Sequence, residues 1–130
     1  MLVQVINESG YYAAMLGLSL SYNQNLEKMP AVADRLFKKG GGHNKFLESM
    51  IVWLVVDAPR YWWQQFDTYR VGMTKQSGST MHTIMRQPFT DEDFEGGMMP
   101  EILEILNNYR EAKNFDAVKR YLPESSIQRR

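Results

Sequence analysis

The residues best suited to hold a negatively charged ligand lie in the middle of the chain, around Arg70. This arginine follows an aromatic-rich segment and precedes a stretch rich in Gly, Ser, Thr and Lys, residues 72–80. A guanidinium can donate two parallel hydrogen bonds to a phosphate, and the backbone N–H groups of such a loop can bind the same group. The alternative is a solvated arginine beside an ordinary flexible loop. Because the sequence contains no phosphate-loop or dinucleotide glycine motif, the pattern predicts an anion site without defining its class.

The candidate ligand-binding residues share side chains that can donate hydrogen bonds or stack on a base. A tyrosine beside the arginine offers a flat face and a hydroxyl. The two positive charges near the end of the chain can instead complement a helix dipole, and the glutamine can be an amide on a helix surface. The set consists of Gln65, Tyr69, Arg70, Lys75, Gln76, Ser77, Ser79, Thr80, His82, Arg110, Lys119 and Arg120.

Neither metal binding nor acid–base catalysis has a clear pattern in the sequence. His43 and His82 are the only histidines, and the chain has no cysteine, so no metal-ligand spacing exists. Either histidine can exchange a proton near neutral pH, but we interpret His43 as structural and keep His82 as a ligand contact. The acidic run 91–93 is interpreted as a helix cap. We therefore predict no metal site and no catalytic residue.

Hydrophobic patterning predicts the elements that position these residues. Strands are expected at 2–6 and 51–56, and the second is apolar on both faces and therefore expected to be buried. Residues 81–85 fit either a strand or a helix start, and residues 125–130 are expected to be a frayed tail. Trp62 and Trp63 are adjacent on a helix, so at most one is expected to face a pocket. Helices are predicted over 11–22, 29–39, 59–69 and 115–122 and from residue 100, and a short helical stretch is predicted at 45–50. In the first of these helices, Tyr12, Met15, Leu16 and Leu20 are expected to share one face.

Composition limits the classes of protein that fit. A length of 130 residues suits one domain, 1–130. Lys plus Arg equals Asp plus Glu at 15 each, which argues against a protein that binds nucleic acid polymers. The longest apolar run, 50–56, is too short to cross a bilayer, so no membrane association is expected. We predict a cytoplasmic protein, and its zero net charge with 12% aromatic residues favours a homo-oligomer.

A series of short motifs, in the same order, resembles the flavin-dependent thymidylate synthases. His43-x-x-Phe46-x-Glu48 is similar to that family's His-x-x-Phe-Glu before its central strand, and residues 51–59 are similar to the strand itself. Residues 65–70 fall where the family has Gln-x-x-Arg-His-Arg, and residues 75–79 resemble its Asn-Glu-x-Ser loop with one residue extra. Residues 117–123 are similar to its Ala-Arg-x-x-Leu-Pro helix end, and residues 19–22 to its Ala-Arg-Val-Ser-Tyr. The resemblance implies an α/β (α+β) fold in which a small sheet packs with several helices as a single domain.

The departures from the family pattern point away from flavin. Thr68 and Tyr69 replace the Arg-His pair that holds flavin in the family, and the arginine that grips the substrate phosphate falls at Thr80 or Met81. The arginine before Val-Ser-Tyr and the family's C-terminal extension have no counterpart either. Each lost charge-assisted contact is worth about 1.5–3 kcal/mol. We therefore expect no flavin cofactor.

The resemblance and the departures together predict a non-catalytic nucleotide-binding protein. By analogy, it is expected to come from a phage and to sequester a nucleotide-derived immune signal, of the cyclic ADP-ribose or cyclic oligonucleotide type, in the host cytoplasm. The family assembles as tetramers, so we expect a homo-oligomer in which the Arg70 loop meets Arg110 or Arg120 of another subunit. One alternative is a minimal flavin enzyme that uses FAD on a pyrimidine deoxynucleotide. Another is a partner-binding module without a small ligand.

Overall fold

The computed structural model describes residues 1–79 and 83–130, and these form two compact units. The first unit is Gln4–Leu54, and the second is Met1–Val3 with Val55–Arg130. In the sheet, the strands follow the order β1 (Leu2–Ser9), β2 (Ile51–Pro59) and β3 (Ile127–Arg129). The α+β class with a small sheet and several packed helices is confirmed, and the single domain over 1–130 stays a prediction.

The first unit is built around two helices that pack on each other. The unit contains α1 (Tyr11–Tyr22), α2 (Met29–Leu36) and two short 3₁₀ turns, Leu26–Lys28 and Lys45–Ser49. The helix α1 follows Gly10 at φ 97°, where a Cβ would collide with the backbone carbonyl of Ser49, so only glycine fits. The core of this unit consists of Ala14, Met15, Leu18, Met29, Val32, Ala33 and Leu36.

The buried face of α1 differs from the predicted one. Met15 is buried as expected, but Tyr12, Leu16 and Leu20 are exposed, and Ala14 and Leu18 take their place in the core. The helix is apolar on more than one side, so helical spacing alone did not identify the side that packs on α2.

The second unit places a helix directly after the central strand. The strand β2 ends at Pro59, α3 covers Arg60–Phe66, and α4 (Pro100–Glu111) and α5 (Phe115–Tyr121) follow further along the chain. Val56 and Ala58 of β2 pack against Trp63 of α3. The helix α3 begins one residue later and ends three residues earlier than the predicted 59–69, so the segment that contains Arg70 lies beyond its end.

The tail expected to fray, residues 125–130, is instead ordered by long-range pairing. The strand β3 is antiparallel to β2, with Asp57 opposite Arg129 and Pro59 opposite Ile127. Arg130 exchanges both main-chain hydrogen bonds with Val56, at 2.7 and 2.9 Å. This prediction was wrong because the partner that orders the segment lies some 70 residues earlier in the sequence.

The burial predicted for residues 51–56 was correct for only part of β2. Val56 is buried, whereas Ile51, Val52, Trp53 and Leu54 are 44–59% exposed. The aromatic side chains of α3 pack on the second half of the strand only. Among the described residues, no helix is long and apolar enough to cross a membrane.

Candidate functional site

The chain turns sharply at the end of α3, and this turn sets the position of Arg70. Thr68 donates from its backbone N–H and from its hydroxyl to the carbonyl of Gln65, at 3.2 and 2.8 Å. Tyr69 donates its N–H to the carbonyl of Phe66 at 3.1 Å. These bonds satisfy the last carbonyls of the helix, and they leave Tyr69 and Arg70 outside it.

Lys75 closes the loop that follows. Its ammonium donates to the carbonyls of Phe66 and Tyr69 at 2.9 and 3.0 Å and to a carboxylate oxygen of Asp67 at 3.2 Å. It also lies 4.8 Å from the centre of the Phe66 ring. An ammonium has three donors, so all of them are used inside the protein. Lys75 therefore fixes the shape of residues 66–75, whereas the sequence predicts it as a direct ligand contact.

A second cation holds the base of the same loop. Nη1 of Arg130 donates to both carboxylate oxygens of Asp67, at 2.9 and 2.8 Å, and its guanidinium lies 4.7 Å from the centre of the Trp63 ring. Trp63 in turn donates its indole N–H to the carbonyl of Gln128 at 3.0 Å. The hydrogen bond from Arg130, followed by that from Lys75, lowers the pKa of the Asp67 carboxyl below its ordinary value. The end of α3, the loop and β3 thus form one connected framework.

The predicted contacts around this framework are exposed. The Tyr69 side chain is 59% exposed, and Gln65, Arg70, Gln76, Ser77 and Ser79 are exposed as well. Within residues 1–79 and 83–130, no hydrogen bond or ion pair engages the Arg70 side chain, and Arg70 lines neither of the two cavities described below. Thr80 and His82 lie outside the described residues.

The three predicted contacts from the end of the chain lie on α4 and α5. Arg110 of α4 lies 3.6 Å from the Glu111 carboxylate, while its Nε is buried without a partner in the described part of the chain. Lys119 and Arg120 of α5 are exposed. No described hydrogen bond or ion pair connects these three residues to the Arg70 loop. Their predicted role with a ligand stays a prediction.

A cleft of about 560 Å³ lies beside β3 in the second unit, and we call it the Ser126 cleft. Its walls come from residues 83–89, from Phe94 and Leu122, and from Ser126–Arg129. The loop is tied to the same strand, because the N–H of Gly78 donates to the carbonyl of Arg129 at 3.3 Å. No motif in the sequence indicated this cleft. Its polar residues come together through long-range main-chain pairing, such as the bridge between Phe94 and Ser126.

The rim of the Ser126 cleft carries a two-point ion pair. Arg129 donates from Nε and Nη2 to the two carboxylate oxygens of Asp57, both at 2.7 Å. These hydrogen bonds lower the pKa of the Asp57 carboxyl, and the same pairing raises the pKa of Arg129. The positive charge of Arg129 is therefore already compensated.

The first unit has a smaller cavity of about 360 Å³. It is lined in part by Ser21, Tyr22, His43, Lys45 and Ser49. His43, interpreted from the sequence as structural, is therefore beside open space. Across the described ranges, no group of three or more His, Cys, Asp or Glu side chains is arranged to hold a metal ion.

The overall arrangement is similar to that of a solved enzyme structure. Thymidylate synthase X (ThyX) from Helicobacter pylori, determined with FAD and dUMP, matches with a TM-score of 0.69 and 15% sequence identity, over 99% of this chain and 76% of that one. The chain has a ThyX-like fold. No protein-family model and no curated protein matches the sequence. At this identity the similarity establishes the ThyX-like fold and leaves the roles of individual residues as predictions.

Proposed function

We propose that this chain binds a nucleotide and releases it unchanged, with the ThyX-like fold serving as a binding scaffold. The observation that carries the proposal is the loop after α3. Lys75 and Arg130 hold its base on Asp67, and Arg70 and Tyr69 are left exposed beside it. The exposed guanidinium beside this fixed loop base has free donors for a phosphate, and the adjacent ring has a free face for a base. The ThyX structure with the same fold was determined with two nucleotides, FAD and dUMP.

The replacement of the family's Arg-His pair argues for binding without flavin chemistry. At these positions Thr68 uses its hydroxyl to satisfy the end of α3, and Tyr69 is a neutral residue. Neither side chain replaces the lost positive charge, so the flavin contacts implied by the family pattern are not rebuilt. We therefore propose no catalytic residue and no cofactor.

The biological role we propose is sequestration of a nucleotide-derived immune signal, of the cyclic ADP-ribose or cyclic oligonucleotide type. In this proposal the protein comes from a phage and acts in the host cytoplasm. A protein that sequesters a signal needs tight binding and slow release, and it needs no chemistry. A loop whose base is fixed by Lys75 and Arg130 suits that requirement, because less of the backbone has to be ordered on binding.

We further propose that the protein is a homo-oligomer whose ligand sites lie between subunits. Val5, Ile6 and the segment Ile51–Leu54 are apolar and exposed, which is typical of a surface covered by another chain. Arg110, Lys119 and Arg120 share no described contact with the Arg70 loop within one chain. In a homo-oligomer, the same residues of a second copy would complete the positive site.

A thermal-shift screen tests the proposed function. Cyclic ADP-ribose, cyclic dinucleotides and dUMP are added to the purified chain, and a ligand at a hundred times its Kd stabilises by about 2.7 kcal/mol. Arg70→Ala should lose about 1.5–3 kcal/mol of binding free energy, because a charge-assisted contact is removed. Lys39→Ala removes a positive charge from an exposed site in the first unit and should leave binding unchanged. Absence of a shift with every nucleotide would contradict the proposal.

The second candidate function, a minimal flavin-dependent thymidylate synthase-like enzyme, is favoured by the FAD in the matching ThyX structure. Its test is optical. The purified chain is incubated with FAD, passed over a desalting column and examined for the flavin absorbance band. A retained band supports the enzyme, and a colourless protein supports binding without flavin.

A further inference from the structure

We propose that the Ser126 cleft is the pocket that takes the base and phosphate of a nucleoside monophosphate unit. This inference rests on the proposed nucleotide binding and adds to the Arg70 loop a separate subsite for one nucleoside monophosphate unit. The cleft volume, about 560 Å³, lies within the range of pockets that bind small ligands. Three features of its lining carry the assignment: a buried hydroxyl without a hydrogen-bond partner, an aromatic ring on a fixed backbone and a cation without a described ion pair.

The buried hydroxyl belongs to Ser126. The residue is only 5% exposed, and its Oγ has no hydrogen-bond partner in the described part of the chain. Its backbone is fully used, because its N–H donates to the carbonyl of Pro123 and its carbonyl accepts from the N–H of Arg60, both at 3.0 Å. A buried hydroxyl without a partner is costly. A polar group of a ligand in the cleft would supply the missing partner.

The aromatic ring belongs to Phe89, and Asn107 fixes the backbone of this residue. The side-chain amide of Asn107 on α4 accepts from the N–H of Phe89 at 2.8 Å and donates to its carbonyl at 3.0 Å. The Phe89 ring lies 6.2 Å from the buried ring of Phe94, with a tilt of 44°. A fixed, half-exposed ring is a platform on which a flat base can stack. Asn107 acts here as a positioning residue.

The side-chain amides of Gln87 and Gln128 also line the cleft. Neither makes a hydrogen bond through its side chain within residues 1–79 and 83–130. Each amide offers both a donor and an acceptor. Together with the Ser126 hydroxyl they match the polar edge of a nucleobase.

The uncompensated cation is Arg86. The other charged lining residues are committed elsewhere, since Arg129 is paired with Asp57 and the carboxylate of Asp93 accepts from Thr90. Arg86 is exposed, and no described ion pair engages it. Asp93 keeps its negative charge because Thr90 is neutral, so Arg86 is the lining cation without an ion partner in the described chain and is the group that would bind an anion. A phosphate on Arg86 with a base on Phe89 accounts for the apolar and the charged parts of the lining together.

Methyl NMR of the full chain tests where a nucleotide binds. Ile84 and Ile127 line the cleft, and Ile105 of α4 is exposed and does not. We expect dUMP or AMP to shift the methyl resonances of Ile84 and Ile127 and to leave that of Ile105 in place. Inorganic phosphate, the third probe, should bind far more weakly because it cannot reach the ring and the amides.

Two variants give the assignment a signature that a purely structural role would not produce. Ser126→Ala should weaken nucleotide binding by about two- to tenfold, as expected for one lost hydrogen bond. The same change should keep or raise the Tm of the ligand-free protein, because it removes an unsatisfied buried group. Ser125→Ala, at a neighbouring residue that does not line the cleft, is the matched control and should leave the affinity unchanged. Arg86→Ala should weaken binding by about ten- to a hundredfold through loss of a charge-assisted contact.

The possible outcomes separate this inference from the proposed function. If a nucleotide binds, requires Arg70 and leaves Ile84 and Ile127 unshifted, the cleft is not the base pocket, although nucleotide binding stands. Phosphate binding as strong as dUMP binding would reveal a general anion site and would also overturn the inference. A lower Tm for ligand-free Ser126→Ala would show that the hydroxyl already has a partner in the protein. If none of the nucleotides binds, both proposals fail.

Discussion

The two halves of β2 have similar apolar sequences and very different surroundings. Ile51–Leu54 is exposed throughout, whereas Val56, Ala58 and Pro59 in the second half are buried. The aromatic residues of α3 account for the difference, since Trp63 packs directly on Val56 and Ala58. An apolar run therefore predicts a strand, but its burial depends on elements that come from elsewhere in the sequence.

In the proposed homo-oligomer, the exposed half of β2 is the surface that a second copy would cover. The covered half of β2 anchors β3, the loop base at Asp67 and the Ser126 cleft. The uncovered half presents Trp53 and three aliphatic side chains to solvent. Burying such a patch against a second copy would gain about 25 cal/mol for each Å² of apolar surface removed from water.

The largest expected loss of folding stability comes from a substitution that affects the covered half of β2. Trp63→Ala should lower the free energy of unfolding by about 3–5 kcal/mol, because it leaves a cavity in a site where the side chain is 2% exposed. It also removes the indole hydrogen bond to Gln128. Urea denaturation followed by circular dichroism measures the change. A loss below about 1 kcal/mol would mean that α3 does not anchor this half of the strand.

Replacing tryptophan by alanine in the uncovered half should weaken self-association of the chain and have little effect on its folding stability. Trp53→Ala should weaken self-association by about 2 kcal/mol, roughly thirtyfold in Kd, as expected for an aromatic anchor. The dissociated chain should lose far less folding stability than it does with Trp63→Ala. Sedimentation equilibrium over a dilution series measures the Kd, and Leu20→Ala, at an exposed apolar site outside β2 and the Arg70 loop, is the control. Equal Kd values for both variants and the parent chain would show that the exposed patch does not bind a second copy.

A smaller effect is expected at the rim of the cleft. Asp57→Asn should cost about 0.5–1 kcal/mol, because it removes a two-point ion pair whose arginine is largely exposed. A double-mutant cycle with Arg129→Ala, followed by urea denaturation, isolates the interaction. Additive losses in the double variant would show that the two side chains do not interact in solution.

The smallest expected effect is a loss of folding stability at acid pH. The pKa values of Asp57 and Asp67 are lowered in the folded chain by hydrogen bonds from Arg129 and Arg130, so the unfolded chain binds protons more readily. Their contribution to stability is therefore complete above the ordinary aspartate pKa of about 3.9, and it is lost as the pH falls through the lower folded values. Unfolding curves at pH 7, 5 and 3 should show little change between the first two and a drop at the third. In Asp57→Asn the drop should be smaller, and an equal drop in both proteins would contradict this origin.

Local signals and long-range contacts explain which features were predictable. Helix α1 was predicted over its full range, 11–22, because the helical spacing of apolar residues is a local signal. Strand β3 was missed because Ile-Gln-Arg has no strand pattern and exists only through its pairing with β2. The bonds of Lys75 inside the protein could not be predicted for the same reason, since its acceptors on Phe66, Asp67 and Tyr69 are set by how the loop folds. Its role as a ligand contact stays a prediction. Ser126 had no signal, because a lone serine gains meaning only from its burial beside a cleft.

The central claim is that a nucleotide is held and returned intact, and one measurement tests it most directly. The chain is incubated with an equimolar amount of cyclic ADP-ribose or a cyclic dinucleotide. One portion is filtered while the protein is native, so that bound nucleotide is retained with the protein. A second portion is heated to denature the protein before it is filtered. We predict that the nucleotide is depleted from the filtrate of the native protein and recovered chemically unchanged after heating, as measured by liquid chromatography with mass detection. Recovery of a cleaved or modified product, or no depletion from the native filtrate, would contradict the account.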